Sequence, residues 1–196
     1  MSTCLKKINN YIFNNLIIFK KWIGNKLISY VSNIYYQENP EILYKISQNT
    51  LIIFPHYKCK EIIDSLICED IRRKSILKSL PTCIILANGW LNKLAFYIFK
   101  EEMLNFIFIK KDTVGTVCKK IKENNIVGIL IFKNTQNKGI YYIVKETKCP
   151  VLIVKRDINP KKSNCKYKIN YINYEYEIDN KTPEEFINGI KNIMFH

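Results

Sequence analysis

The sequence predicts an α/β protein: a mostly parallel central sheet flanked by helices, preceded by an amphipathic helix. Three observations lead there. Residues 126–155 run as strand, loop, helix and strand: an apolar run Ile126 to Phe132, a polar stretch Lys133 to Lys138, Gly139, a periodic stretch Ile140 to Val144, then Pro150 and Val151 to Val154. That order is a βαβ unit, and strands joined in this way lie parallel. Both strands are nearly continuous in Val, Ile and Leu, as strands covered by helices on both faces require. The third observation is that strand-like and helix-like runs alternate over most of the remaining chain.

Residues 5–36 open the chain with apolar side chains three or four apart, from Leu5, Ile8 and Ile12 through Leu16, Phe19, Ile23 and Leu27 to Tyr30 and Ile34. This spacing predicts a long helix, with Gly24-Asn25 as a place for a bend. Lys6, Lys20, Lys21 and Lys26 interrupt it, and Trp22, Tyr35 and Tyr36 decorate it. Its apolar runs fall well short of the roughly 20 residues of a spanning helix. Two roles suit such a segment: lying in a membrane interface, or packing on the domain's own core. Asn39-Pro40 breaks the chain, which divides it into a helical unit, 1–38, and an α/β domain, 39–196. Glu41 to Gln48 is a short strand or a helical turn, and Leu51 to Phe54 is a buried strand ending at Pro55-His56.

A helix over about 60–80 follows, stopped by Pro81, and Cys83 to Ala87 forms a strand before the turn at Asn88-Gly89. Leu91 to Met103 is helical and Phe106 to Ile109 extended. Thr113 caps a helix to about Asn124. Beyond Val154, alternating Tyr and Ile over Lys166 to Ile178 predict a half-exposed or edge strand. Thr182-Pro183-Glu184-Glu185 opens a last helix: a cap, a first-turn proline and acidic residues at the positive end of the dipole.

With 196 residues, 47% of them hydrophobic, the chain holds enough apolar material for one real core. A formal net charge of +14 favours anionic partners: phospholipid headgroups, acyl-CoA phosphates or nucleic acid. Only three residues are Arg (Arg72, Arg73 and Arg156), and the Lys, Asn and Ile excess is also what AT-rich coding produces. Nucleic-acid binders lean more on Arg, and no nucleic-acid motif is present, so that class ranks last. Seven Cys without a C-x-x-C pair suit free thiols in a reducing, cytoplasmic compartment. With His56 and His196 the only histidines, a His-rich metal centre is excluded, and a histidine base has one internal candidate.

The segment Phe132-Lys133-Asn134-Thr135-Gln136, followed by Gly139, a helix and Cys149-Pro150-Val151, resembles the strand, loop, helix and strand of the glycerolipid acyltransferases, which include the lysophosphatidic acid acyltransferases. Phe132, Thr135 and Pro150 match that family's letters, while Lys133, Asn134 and Gln136 replace its Pro, Glu and Arg. Phe54-Pro55-His56 with Glu61 resembles its histidine and acid, where the family carries Asp. Phe106 to Lys111 resembles its phosphate-binding stretch, with Lys in place of Arg at position 111. The resemblance covers residues 50–156 with the segments in family order.

It implies a glycerol-3-phosphate acyltransferase-like sheet and a membrane-associated O-acyltransferase. His56 is then the base and Glu61 its orienter, with Asp64 as a second acid. Lys110, Lys111, Lys133, Asn134, Thr135 and Gln136 bind the acceptor. Acyl-CoA or an acyl carrier protein serves as the thioester co-substrate, with no metal and no bound cofactor. The implied partners are a phospholipid membrane surface and a lysophospholipid acceptor, and the resemblance favours the interfacial role for the N-terminal helix. An inactive protein of this fold that binds lipid or membrane is the alternative, because three motifs carry substitutions.

Overall fold

Strands β2 (Leu51–His56) and β5 (Ile126–Phe132) lie side by side in the middle of a seven-stranded sheet. The computed structural model describes residues 2–46, 49–56, 67, 70, 82–86, 106–108, 112–123, 125–132, 136–158 and 167–196. The remaining elements are α1 (Ser2–Ser32), β1 (Tyr35–Glu38), a 3-10 helix (Pro40–Lys45), β3 (Thr82–Leu86), β4 (Phe106–Phe108), α2 (Thr113–Lys122), α3 (Gly139–Thr147), β6 (Val151–Ile158), β7 (Tyr167–Tyr174) and α4 (Pro183–Phe195). The predicted helices over 60–80 and 91–103 lie outside the described residues, apart from Ile67 and Asp70, both helical.

The strand order is β1-β7-β6-β2-β5-β3-β4. From β6 to β4 all neighbours are parallel, a block of five strands. β7 runs antiparallel to β6, and β1 pairs parallel with β7 at the edge. The alternating stretch predicted as a half-exposed or edge strand is therefore half-buried and interior, because residues just after α1 cover its outer side. Pro55 is tolerated near the end of a central strand because β6 pairs with β2 only over Leu51 to Ile53.

Side-chain alternation sorts the strands into two cores. Leu51, Ile53, Val127, Ile129, Ile131 and Ile153 face α2, α3 and α4. Ile52, Phe54, Ile126, Leu152 and Val154 face the other way, toward Ile28 and Val31 of α1. This two-sided burial is what the unbroken Val, Ile and Leu runs demanded.

α1 is buried along one stripe and exposed along another. Gly24, Ile28 and Val31, spaced four and three apart, are buried, and Ile28 and Val31 pack against the sheet. Part of the apolar stripe read from the sequence points outward: Leu16 is 40% exposed, Phe19 55% and Tyr30 61%, with Ile18 at 64% and Trp22 at 57% beside them. Phe19 and Trp22 stack on each other, ring centroids 6.2 Å apart. The helix ends at Ser32, and Tyr35 begins a strand. Among the described residues, no helix is long and apolar enough to cross a membrane.

Two local anchors hold the outer elements. The Tyr35 hydroxyl donates to buried Asp70 at 2.7 Å, tying β1 to the segment after β2. On the opposite face, Phe186 of α4 is fully buried amid the rings of Tyr141, Tyr174 and Tyr176, each 5.8 Å away. Gly189, one turn on, leaves room for the Tyr174 hydroxyl; a Cβ there would sit 2.7 Å from it. α4 starts as predicted, with Thr182 and Glu185 closing a capping box. The cap of α2 is Asp112, one residue before the expected Thr113.

Thr182→Ala removes the acceptor for the Glu185 N–H and should lower stability by about 1 kcal/mol in denaturant unfolding. Burial pushes the Tyr176 phenol up to about 12, and it also raises Tyr35 and Tyr174. A raised phenol favours the folded state fully below its ordinary pKa near 10, and that contribution is lost as pH climbs toward the folded value. Unfolding free energy should thus hold to about pH 10 and fall above it. Tyr176→Phe should flatten that fall, read by denaturant titrations between pH 8 and 11.

Candidate functional site

Parallel strands deliver their carboxyl ends to one edge of the sheet, where open α/β folds bind ligands. Five strands do so here, β6, β2, β5, β3 and β4. In β2 and β5 the last residues are in register, His56 beside Phe132. In β3 and β4 the last pair is Leu86 beside Phe108. The chain leaves this edge into three predicted chemical segments: His56 to Glu61 after β2, Lys110-Lys111 after β4, and Lys133 to Gln136 after β5. Glu61, Lys110, Lys111, Lys133, Asn134 and Thr135 lie outside the described residues, as does Asp64, and His56 is described in its backbone.

Gln136, the remaining predicted residue, is exposed and lines a cavity of about 220 Å³ with Lys138 and one side of α4. The α4 residues are Glu184, Ile187, Asn188 and Lys191. Their spacing of three, one and three puts them on one helical face. The helix turns its neighbouring stripe, Phe186, Ile190 and Met194, into the core, and Ile187 belongs to both. The core contacts of Phe186 therefore aim the polar face at the loop after β5.

The loop itself is set by its backbone. Asn137 adopts a left-handed conformation (φ 45°), which Asn tolerates better than most residues. Its carbonyl accepts from the Ile140 N–H at 3.0 Å, and that of Lys138 accepts from Tyr141 at 3.1 Å, so α3 starts directly behind the cavity. Lys138 forms an ion pair with Glu184. The shared hydrogen bond raises the Lys138 pKa and lowers that of Glu184, so both stay charged across the neutral range. Both are well exposed, so the pair matters more for where Lys138 points than for stability.

Asn188 and Lys191 are not among the residues singled out in the sequence, and Glu184 is singled out there only as a first-turn acid of the last helix. The available signal was the polar stripe at 184, 188 and 191 beside the apolar one at 186, 190 and 194. It had no meaning until the sheet order brought α4 against the loop after β5.

No protein-family model matches the chain, and no curated protein matches its sequence. Its structure is similar to the crystal structure of the 1-acyl-sn-glycerophosphate (LPA) acyltransferase PlsC from Thermotoga maritima. The TM-score is 0.58, with 93% of this chain and 86% of that chain covered, at 13% sequence identity. At that identity the likeness is one of fold: a largely parallel sheet flanked by helices, with an N-terminal helix, shared with that acyltransferase over nearly the whole chain.

Proposed function

We propose that this protein is a divergent, membrane-associated acyltransferase. It moves a fatty acyl group from an acyl thioester, on coenzyme A or an acyl carrier protein, to a hydroxyl of a lysophospholipid or glycerol phosphate. The observation that supports this most is the end of β2: the chain's one internal histidine stands in register with Phe132, where the loop after β5 departs, in a fold like that of an LPA acyltransferase.

The chemistry follows from those residue types. His56 takes the proton of the acceptor hydroxyl as its oxygen attacks the thioester carbonyl. The tetrahedral intermediate collapses, the C–S bond breaks, and the imidazolium returns its proton to the departing thiolate. Glu61 holds the imidazole in the required tautomer and steadies its charged form. Lys110, Lys111, Lys133, Asn134, Thr135 and Gln136 engage the acceptor and its phosphate. Lys supplies charge without the bidentate fork of Arg, which makes acceptor binding looser. The reaction uses no metal and no bound cofactor.

Membrane association draws support from α1. Ile18, Phe19, Trp22 and Tyr30 are exposed together with Lys21 and Lys26, on a chain of net charge +14. Cys118 and Cys149 are free thiols, in keeping with a membrane face turned to a reducing cytoplasm. A second reading, an inactive lipid-binding protein of this fold, is favoured by one observation: Gln136, a neutral residue, stands where the resemblance has a cation.

Purified protein with vesicles, acyl-CoA and lysophosphatidic acid should consume thioester. His56→Ala should slow this by roughly two to four orders of magnitude with folding intact. Glu61→Gln should also slow it, and Glu61→Asp should preserve or raise it. Wild-type transfer by His56→Ala, or none by the native chain across several donors and acceptors, leaves the lipid-binding reading in its place.

The vesicle test must spare Ile28 and Val31, which belong to the core. Phe19→Ser with Trp22→Ser should weaken co-sedimentation with anionic vesicles at least roughly tenfold, given the apolar area each ring would bury. Unchanged sedimentation removes α1 from the membrane contact.

A further inference from the structure

The chain that leaves His56 runs through Glu61 and meets α1 again at Ile67 and Asp70. Both are helical and buried, and their spacing of three puts them on one helical face. Ile67 joins the core cluster of Ile28 and Val31 of α1 and Phe54 of β2. Asp70 carries a carboxylate, which is costly to bury without partners. The Tyr35 hydroxyl is one partner and donates to it at 2.7 Å. The Gln37 amide donates in turn to the Tyr35 hydroxyl oxygen at 3.4 Å. Tyr35 and Gln37 are alternate residues of β1, so they share one face of the sheet. Burial, and after it the bond to Asp70, raise the Tyr35 phenol, so it stays protonated and a donor around neutral pH.

Tyr35 is joined to α1 by a hydrogen-bonded turn. The N–H groups of Asn33 and Ile34 donate to the carbonyls of Tyr30 and Val31 at 3.2 and 2.9 Å. The Tyr167 N–H of β7 donates to the Ile34 carbonyl at 3.0 Å. The last turn of α1, the start of β1 and the start of β7 are thereby held together. The Tyr35–Asp70 bond is then a joint between the helix that exposes Phe19 and Trp22 and the chain that follows the histidine. A hydrogen bond fixes direction as well as distance, which the apolar contact of Ile67 alone does not. Neither Tyr35 nor Asp70 is among the residues proposed to act on the substrates.

We propose that Asp70 is a positioning residue: through Tyr35 it fixes the segment after β2 against α1, and with it the placement of the histidine base and its acid. The proposal rests on the acyltransferase reading for its effect on transfer, and on the Tyr35–Asp70 bond alone for the placement of the segment.

The test has one arm that needs no turnover. Hydrogen–deuterium exchange of the full-length protein is followed by mass spectrometry in peptides covering 57–70 and in peptides of β5 and β6. Tyr35→Phe, which removes only the hydroxyl, should speed exchange over 57–70 roughly tenfold, the scale of one hydrogen bond to a charged group, and leave β5 and β6 unchanged. Asp70→Asn keeps an acceptor oxygen and should speed exchange less. It is also the milder change, so it carries the test should Tyr35→Phe fail to fold. Exchange over 57–70 that stays at the wild-type rate, or a rise shared equally by β5 and β6, overturns the proposal: the bond is then idle, or it merely stabilises the whole domain.

A second arm measures acyl transfer from acyl-CoA to lysophosphatidic acid. Tyr35→Phe should lower kcat roughly tenfold to a hundredfold, the loss that misplacing a reacting group by about 1 Å brings. KM for both substrates should stay within about twofold, and co-sedimentation with anionic vesicles should be unchanged, because no substrate contact and no exposed ring of α1 is altered. In an Asp70→Ala background, which lacks the acceptor, adding Tyr35→Phe should change kcat little further. Full kcat in Tyr35→Phe, or losses that simply add in the double variant, overturn the proposal. A wild type that transfers nothing removes the enzyme reading, and the exchange arm then decides alone whether the bond places the segment.

Discussion

The constraint on which the rest of this structure depends is the burial of β2, β5 and β6 on both faces. A strand covered on both sides has no solvent face for polar side chains, so its sequence becomes a run of Val, Ile and Leu. Parallel neighbours are reached by crossover helices, which supply the covering layers, and of these three strands only β6 also has an antiparallel neighbour, β7. α2, α3 and α4 cover one face through Val117, Ile121, Val144 and Phe186, and α1 covers part of the other through Ile28 and Val31. Parallel pairing has a second consequence. It sends the carboxyl ends of β6, β2, β5, β3 and β4 to the same edge, so segments well separated in the chain leave the sheet together.

Much of this was legible in the sequence because it is written in local chemistry. The apolar run Ile126 to Phe132 is β5 to the residue, and Thr182-Pro183-Glu184-Glu185 is the cap and first turn of α4. Both rest on interactions within a few residues. What was not legible depends on partners far away in the chain. The stripe Leu16, Phe19 and Tyr30 fits a helix packed inward as well as one turned outward; contact of Ile28 and Val31 with the sheet decides the orientation. β7 has the alternation of an edge strand, yet β1 lies outside it, a pairing that spans over 130 residues.

The candidate site divides along the same line. His56 stood out as a lone histidine after a buried strand, and the register confirms that β2 runs up to it beside Phe132. Lys191 had no such mark. A lysine on the polar face of the last helix looks like any solvated charge, and the fold is what places it in the lining of a cavity with Gln136 and Lys138. Residues marked by a sequence motif are thus readable early, whereas those brought together by tertiary placement are not.

Burial of polar groups beneath α1 links the two ends of the proposed function. The face of the sheet toward α1 is not wholly apolar: Asp70 and Arg156 are buried there, with the Arg156 guanidinium 4.9 Å from the Tyr167 ring. Buried charges are retained only where partners compensate for lost solvation, and Tyr35 provides one such contact by donating to Asp70. Tyr35 begins the strand that directly follows α1, and Asp70 belongs to the segment that leaves His56. A hydrogen bond of 2.7 Å between them fixes the base of the exposed aromatic helix relative to the chain that carries the histidine onward. An apolar contact at this place would tolerate sliding, whereas a buried hydroxyl–carboxylate bond has one geometry and a penalty for leaving it. If α1 rests on a lipid surface, this bond sets the position of the β2 segment relative to that surface, and with it the side from which a lipid acceptor reaches the strand ends.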